Sequence, residues 1–118
     1  MYESMQYRSA VTDVTAALAT ARYSAITRGQ SVDVELNPEE HEFRISGQPL
    51  KSISEAINLT AIAAAELSSD DQIAVIRFYP DGSSSGGNLS LQRSNGAGTR
   101  LDIDWLLGRV TQTRLQVE

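Results

Sequence analysis

Residues 7–36 read YRSAVTDVTAALATARYSAITRGQSVDVEL, and the change of rhythm at Gly29 decides the fold. Before it, Val11, Val14, Leu18, Ala21 and Ala25 recur every three or four residues, one stripe of a 3.6-residue helix. The spacing predicts a helix over 7–28, about 30 Å long at 1.5 Å per residue. Gly29 follows the last turn, where glycine takes a left-handed cap without strain. Arg22 and Arg28 lie toward the end that favours cations. After Gly29 the period drops to two: Val32, Val34 and Leu36 share one face, Ser31, Asp33 and Glu35 the other.

The rest continues in that second rhythm. NPEE at 37–40 is turn material, and Phe43 and Ile45 form the inward pair of a returning strand. SISEAINLTAIAAAEL at 52–67 mixes helix formers with the alternation Ile57, Leu59, Ala61, which reads as a short strand near 56–62. Further strands follow at QIAVIRF, NLSLQ, RLDID and RVTQTRLQV, with SNGAG as a hairpin turn between the second and third. One helix and about seven short strands predict an α+β fold. A long N-terminal helix packs against an antiparallel, two-sheet, sandwich-like head over 31–118, all within a single domain 1–118.

Alanine dominates the helix stripe, so its surface is thin and another backbone can come close. The stripe therefore has two readings: packing against its own sheet, or contact with a partner through Val11, Val14, Leu18, Ala21 and Ala25.

Composition excludes several functions. Ten Lys and Arg against fifteen Asp and Glu give a net charge of −5 in 118 residues, which disfavours a general nucleic-acid binder. With no cysteine, disulfides, thiolate catalysis and Cys-ligated zinc are absent. The first nine residues lack the apolar core of a signal peptide, and no run approaches the length needed to cross a bilayer.

The stretch FYPDGSSSGG at 78–87 invites a catalytic reading that the residues do not sustain. A phosphate loop enters a helix, but this one enters a strand and lacks the Walker lysine. A serine-hydrolase elbow needs G-x-S-x-G and a base, and the only histidine, His41, sits in a turn. Asp81 is a weak calcium candidate, with Asp70 and Asp71 in the preceding loop; the spaced carboxylates of a calcium loop are missing. Asp102 and Asp104 lie two apart on one strand, which makes them its polar side rather than a pair flanking a cleft. Trp105 reads first as a core residue and second as an exposed contact. No enzyme and no cofactor follow. The Ser/Gly loop, with no charge or bulk beyond Asp81 to pin it, is expected to be mobile.

IRFYPDGSSSGGNLSLQ followed by LDIDWLLGRV resembles the type H minor pseudopilins of bacterial type II secretion. Phe78, Pro80, Asp81, Gly82, Ser84, Gly86 and Gly87 carry the first part of the pattern, and Asp104, Trp105, Leu106, Gly108, Arg109 and Val110 the second. Ala21-Arg22, Ala25, Ile26, Gly29 and Val32 fit the helix segment. The resemblance implies a non-enzymatic subunit of a secretion filament, in which 7–28 is the second half of a pilin-type helix. It implies an apolar membrane anchor preceding residue 1, a head in the periplasm, and other major and minor pseudopilins as partners. Secretion-channel components or secreted substrates are further partners of that kind. Two other readings remain at this point: a minor pilin of a type IV pilus or DNA-uptake system, and a carbohydrate-binding sandwich stacking sugars on Trp105 and Tyr79.

Overall fold

The computed structural model describes residues 2–64, 67 and 72–116. Helix α1 spans Tyr2–Arg28, five residues earlier than the periodicity starts, and ends where Gly29 (φ 68°) donates its N–H to Ala25 O. Eight strands follow: β1 (Val32–Asn37), β2 (Glu42–Ile45), β3 (Lys51–Ser52), β4 (Asn58–Ile62), β5 (Ala74–Phe78), β6 (Gly87–Gln92), β7 (Gly98–Ile103) and β8 (Val110–Leu115). They form two four-stranded antiparallel sheets, ordered β3-β2-β1-β5 and β4-β6-β7-β8. The two-residue β3 has no periodicity to betray it in the sequence.

One core joins the helix to both sheets. Val14, Leu18, Ala21 and Ala25 have no exposed surface, with Ala10 and Ala17 nearly as buried beside them. Val34, Leu36, Phe43, Ile76 and Phe78 come from the first sheet, and Leu59, Leu89, Leu91, Leu101 and Ile103 from the second. Most of the alternating residues that read as inward are buried, while Val32, Ile45 and Ala61 are only partly so and Val75, on the opposite face of β5, is buried as well. The thin alanine face lets the helix seat closely between the sheets. At its N-terminal half the Tyr7 hydroxyl bonds the Thr99 hydroxyl, tying helix to β7.

This placement corrects the partner reading of the helix stripe. Val14, Leu18, Ala21 and Ala25 lie inside the head with no surface to offer a neighbour, while Val11 packs against the same core and keeps part of its surface exposed. The exposed face runs through Thr12, Ala16, Ala19, Tyr23 and Ile26 instead.

On the first sheet, Arg77 grips Asp33 in a two-pronged pair, Nε to Oδ1 at 2.7 Å and Nη2 to Oδ2 at 3.0 Å, across the β1–β5 register. Both side chains are partly exposed, so the pair contributes little, about 1 kcal/mol or less. Replacing Asp33 by Asn is expected to move the urea midpoint only slightly.

Candidate functional site

The Ser/Gly loop is where helix, first sheet and second sheet meet. Pro80 and Asp81 turn the chain, and Gly82 (φ 90°) donates its N–H to Tyr79 O at 2.9 Å. The chain then runs back along the open edge of β5. Tyr79 N–H donates to Ser83 O (2.9 Å), Ser85 N–H to Arg77 O (2.8 Å), and Arg77 N–H to the Ser85 hydroxyl (2.9 Å). A bare sheet edge is thereby covered.

Ser84 faces the other way, toward the second sheet. Its N–H donates to Trp105 O at 2.9 Å and its hydroxyl to Asp104 O at 2.8 Å, while that hydroxyl accepts from Gly86 N–H at 3.0 Å. Ser84 is only 4% exposed. From the helix, Arg22 Nε donates to Gly82 O at 3.1 Å. The expected mobility of the loop is therefore corrected: three short hydroxyls supply the pins that charge and bulk do not. Ser84→Ala is expected to cost about 2 kcal/mol, because a buried N–H and a carbonyl lose their partner together. A urea midpoint unchanged from the parent would show that water replaces the hydroxyl.

Asp81 serves the same turn. Its Oδ1 accepts from the Ser83 hydroxyl (2.6 Å) and the Ser83 N–H (2.9 Å). The hydroxyl first, and then the N–H, hold the carboxyl below the usual carboxylate range. Its contribution to stability is present above the unfolded carboxylate value and is lost as pH falls through the depressed folded one. Carboxyl NMR is expected to show a low midpoint for Asp81 that returns toward normal in Ser83→Ala. Among the described residues no group of three or more His, Asp or Glu side chains gathers as a metal site. Asp70 and Asp71, the candidate companions of Asp81, lie outside the described residues. His41 sits in the β1–β2 turn at φ 54°, its carbonyl taking Ile53 N–H.

The second half of the motif forms the facing turn, 104–109. Asp104 accepts Leu107 N–H on Oδ2 at 2.6 Å and Gly108 N–H on its carbonyl at 2.9 Å, while its own N–H donates to Arg109 O. Gly108 adopts φ 66°, and a Cβ there would overlap the Gly82 carbonyl. Gly86 lets Trp105 come close, its ideal Cβ lying 3.3 Å from Trp105 Cβ. Trp105 itself is 66% exposed, which overturns the core reading of its ring. The backbone of this turn is hydrogen-bonded inward, and its apolar side chains point to water.

The structure thus brings Phe78, Pro80, Asp81, Gly82, Ser84, Gly86 and Gly87 together with Asp104, Trp105, Leu106, Gly108, Arg109 and Val110 in one region. In the sequence Arg22 reads as a cation near a helix end and as one residue of the helix segment that carries the resemblance. Its role at Gly82 and Gly108 depends on a contact sixty residues away that no local pattern announces. Neither Trp105 nor Tyr79 lines any of the four described grooves.

A long helix seated between two antiparallel sheets, locked by this loop pair at its C-terminal end, is a pilin-like fold. The family model for Type II transport protein GspH matches residues 10–107, and the chain belongs to that family. It is 27% identical over 108 residues to Type II secretion system protein H of Xanthomonas campestris pv. campestris, covering 92% of this chain and 63% of that protein. The chain therefore spans somewhat under two thirds of that relative's length. Its fold is similar to the minor pseudopilin EpsH of the Vibrio cholerae Type 2 Secretion System, with a TM-score of 0.72 and 11% identity over 92% of this chain and 97% of that one. It is also similar to the type IV minor pilin FimU of Pseudomonas aeruginosa, with a TM-score of 0.69 and 15% identity over 94% and 90%.

Proposed function

We propose that the protein is a non-enzymatic minor subunit of the type II secretion pseudopilus, supporting export of folded proteins from the periplasm across the outer membrane. The observation that carries this reading is the family match over residues 10–107. The geometry supports it: loop residues that invite catalysis are consumed by backbone hydrogen bonds, and the motif builds a surface rather than a cleft. Among the described residues, no helix is long and apolar enough to cross a membrane. In this reading α1 is the second half of a pilin-type helix, its apolar first half lies in the inner membrane, and the head stands in the periplasm. Neighbouring pseudopilins meet the exposed helix face at Thr12, Ala16, Ala19 and Tyr23, since the opposite face is core. Secretion-channel components and secreted substrates are further partners on the same reading.

The test is co-purification of the full-length protein from membranes containing the complete secretion set. Recovery with at least one other pseudopilin is expected. Recovery with none refutes the reading. Recovery of DNA in a salt-sensitive manner, against the acidic balance, assigns the chain to a type IV pilus role instead.

A further inference from the structure

β8 stands at the edge of the second sheet, and among the described residues no strand pairs with its outer side. Two hydrogen bonds fix where its backbone groups point. Asp104 N–H donates to Arg109 O at 2.9 Å, so in this register the residues of β8 bonded to β7 are Thr111, Thr113 and Leu115. Arg93 N–H donates to Ala97 O at 2.7 Å, which turns Thr99, Leu101 and Ile103 toward β6 and leaves Gly98, Arg100 and Asp102 for β8, in agreement. The N–H and C=O groups of Val110, Gln112 and Arg114 therefore point away from β7, out of the sheet edge. Such a row is a template for another strand.

Both edges of the first sheet are closed or short: the Ser/Gly loop lines β5, and β3 has two residues. β8 has six, with no proline and a single charge, Arg114. Its helix-side face is open as well. Val110 and Gln112 stand opposite the core residues Ile103 and Leu101, yet Gln112 and Arg114 are exposed, so α1 leaves this part of the strand uncovered. The occupant follows from the sequence of the edge itself, VTQTRL. New hydrogen-bonded pairs must join residues that point outward. Laid antiparallel on a second copy about Gln112, all three outward residues find such a partner: Gln112 meets Gln112, and Val110 meets Arg114. Between them Thr111 meets Thr113, a favourable cross-strand pair, and no two like charges face each other. A surface that complements itself in this way suits a two-fold contact.

We infer that β8 is a self-pairing edge: two copies of this chain join antiparallel about Gln112, and their second sheets, four strands each, become one continuous sheet with both helices on the same face. The inference goes beyond the assembly reading above and does not rest on it. One strand per copy covers less than the roughly 800 Å² per partner of a stable complex, so the pairing is weak and reversible.

The test is sedimentation of the 118-residue chain from about 10 µM to about 1 mM, where monomer is expected to pass into dimer. Over the same range amide exchange at Gln112 and Arg114 is expected to slow, while Thr111 and Thr113, already bonded to β7, exchange slowly throughout. Gln112→Pro removes an outward donor without breaking the β7–β8 ladder, and is expected to abolish the dimer. Gln112→Lys sets like charges opposite each other and is expected to weaken it about fivefold, whereas Gln112→Ala keeps it. Gln112 is exposed, so Gln112→Lys stays within about 2 °C of the parent melting temperature and decides the matter if the proline variant does not fold. The chain has no cysteine. Gln112→Cys is expected to oxidise to a disulfide dimer about tenfold faster than Arg114→Cys, because only residues at the two-fold come within disulfide reach. A monomer at every concentration overturns the inference, as does a dimer undiminished in Gln112→Lys or equal oxidation at the two positions. Slowed exchange at Gln112 and Arg114 that needs a different pseudopilin also overturns it, since the occupant is then another chain.

Discussion

Gly108→Val is expected to leave the head unfolded or close to it. Gly108 holds φ 66°, a region that a β-branched residue enters only with strain. The conformation is one part of the cost. A Cβ at this position would overlap the Gly82 carbonyl oxygen and lie 2.9 Å from Arg22 Nε. That carbonyl also accepts the Arg22 hydrogen bond, so pushing it away breaks the tie between helix and loop. Strain and displacement together are expected to cost more than about 3 kcal/mol. At about 4 °C per kcal/mol for a chain of this size, the melting temperature falls by more than about 12 °C. Gly96 provides the control. It has φ 91° with open space around it, so Gly96→Ala carries backbone strain without a clash. Gly108→Ala is expected to be worse than Gly96→Ala by about 2 kcal/mol in urea unfolding. Equal losses would mean that the approach of the two loops is not tight.

Ala21→Glu is the second large effect. Ala21 has no exposed surface and lies where the helix seats against the sheets. A glutamate there must either force helix and sheet apart or bury a carboxylate with no partner, and each alone costs several kcal/mol. No folded protein is expected. Ala19, two residues away, is exposed. Ala19→Glu is expected to stay within about 0.5 kcal/mol of the parent. The pair makes the correction to the stripe measurable. If thermal unfolding shows Ala21→Glu folded and stable, the stripe faces outward and the partner reading of Val11, Val14, Leu18, Ala21 and Ala25 returns. A stable Ala19→Glu also gives a charged helix face on which to measure incorporation with other pseudopilins.

Much of this architecture is written in local pattern. The change from a period of 3.6 to a period of two at Gly29 separates α1 from β1, and the residues alternating through Val34, Leu36, Ile76, Leu89 and Leu101 are those with no exposure. Gly108 is legible too, as the one residue between Leu107 and the last strand free to take a positive φ. What stays hidden depends on distant partners. Periodicity says which residues share a face, but not whether that face is covered. Thus Thr111–Arg114 lies within a strand yet is exposed on both faces, and β8 stands at the edge of its sheet. Trp105 reads as core because it is large and apolar, yet the turn that carries it points it outward along with Leu106 and Leu107. The Ser/Gly loop reads as mobile because its pins are hydrogen bonds to Arg77, Asp104 and Trp105, which composition does not reveal.

These corrections share one consequence: the motif residues are tied up in hydrogen bonds that hold the two turns, and on the assembly reading what reaches solvent is a surface for other proteins. The most direct measurement of that claim is export of a folded secreted protein in a strain lacking this gene alone, with and without the full-length gene restored. The prediction is that the substrate accumulates folded in the periplasm without the gene and leaves the cell when it is returned. Undiminished export in the deletion strain would contradict the account.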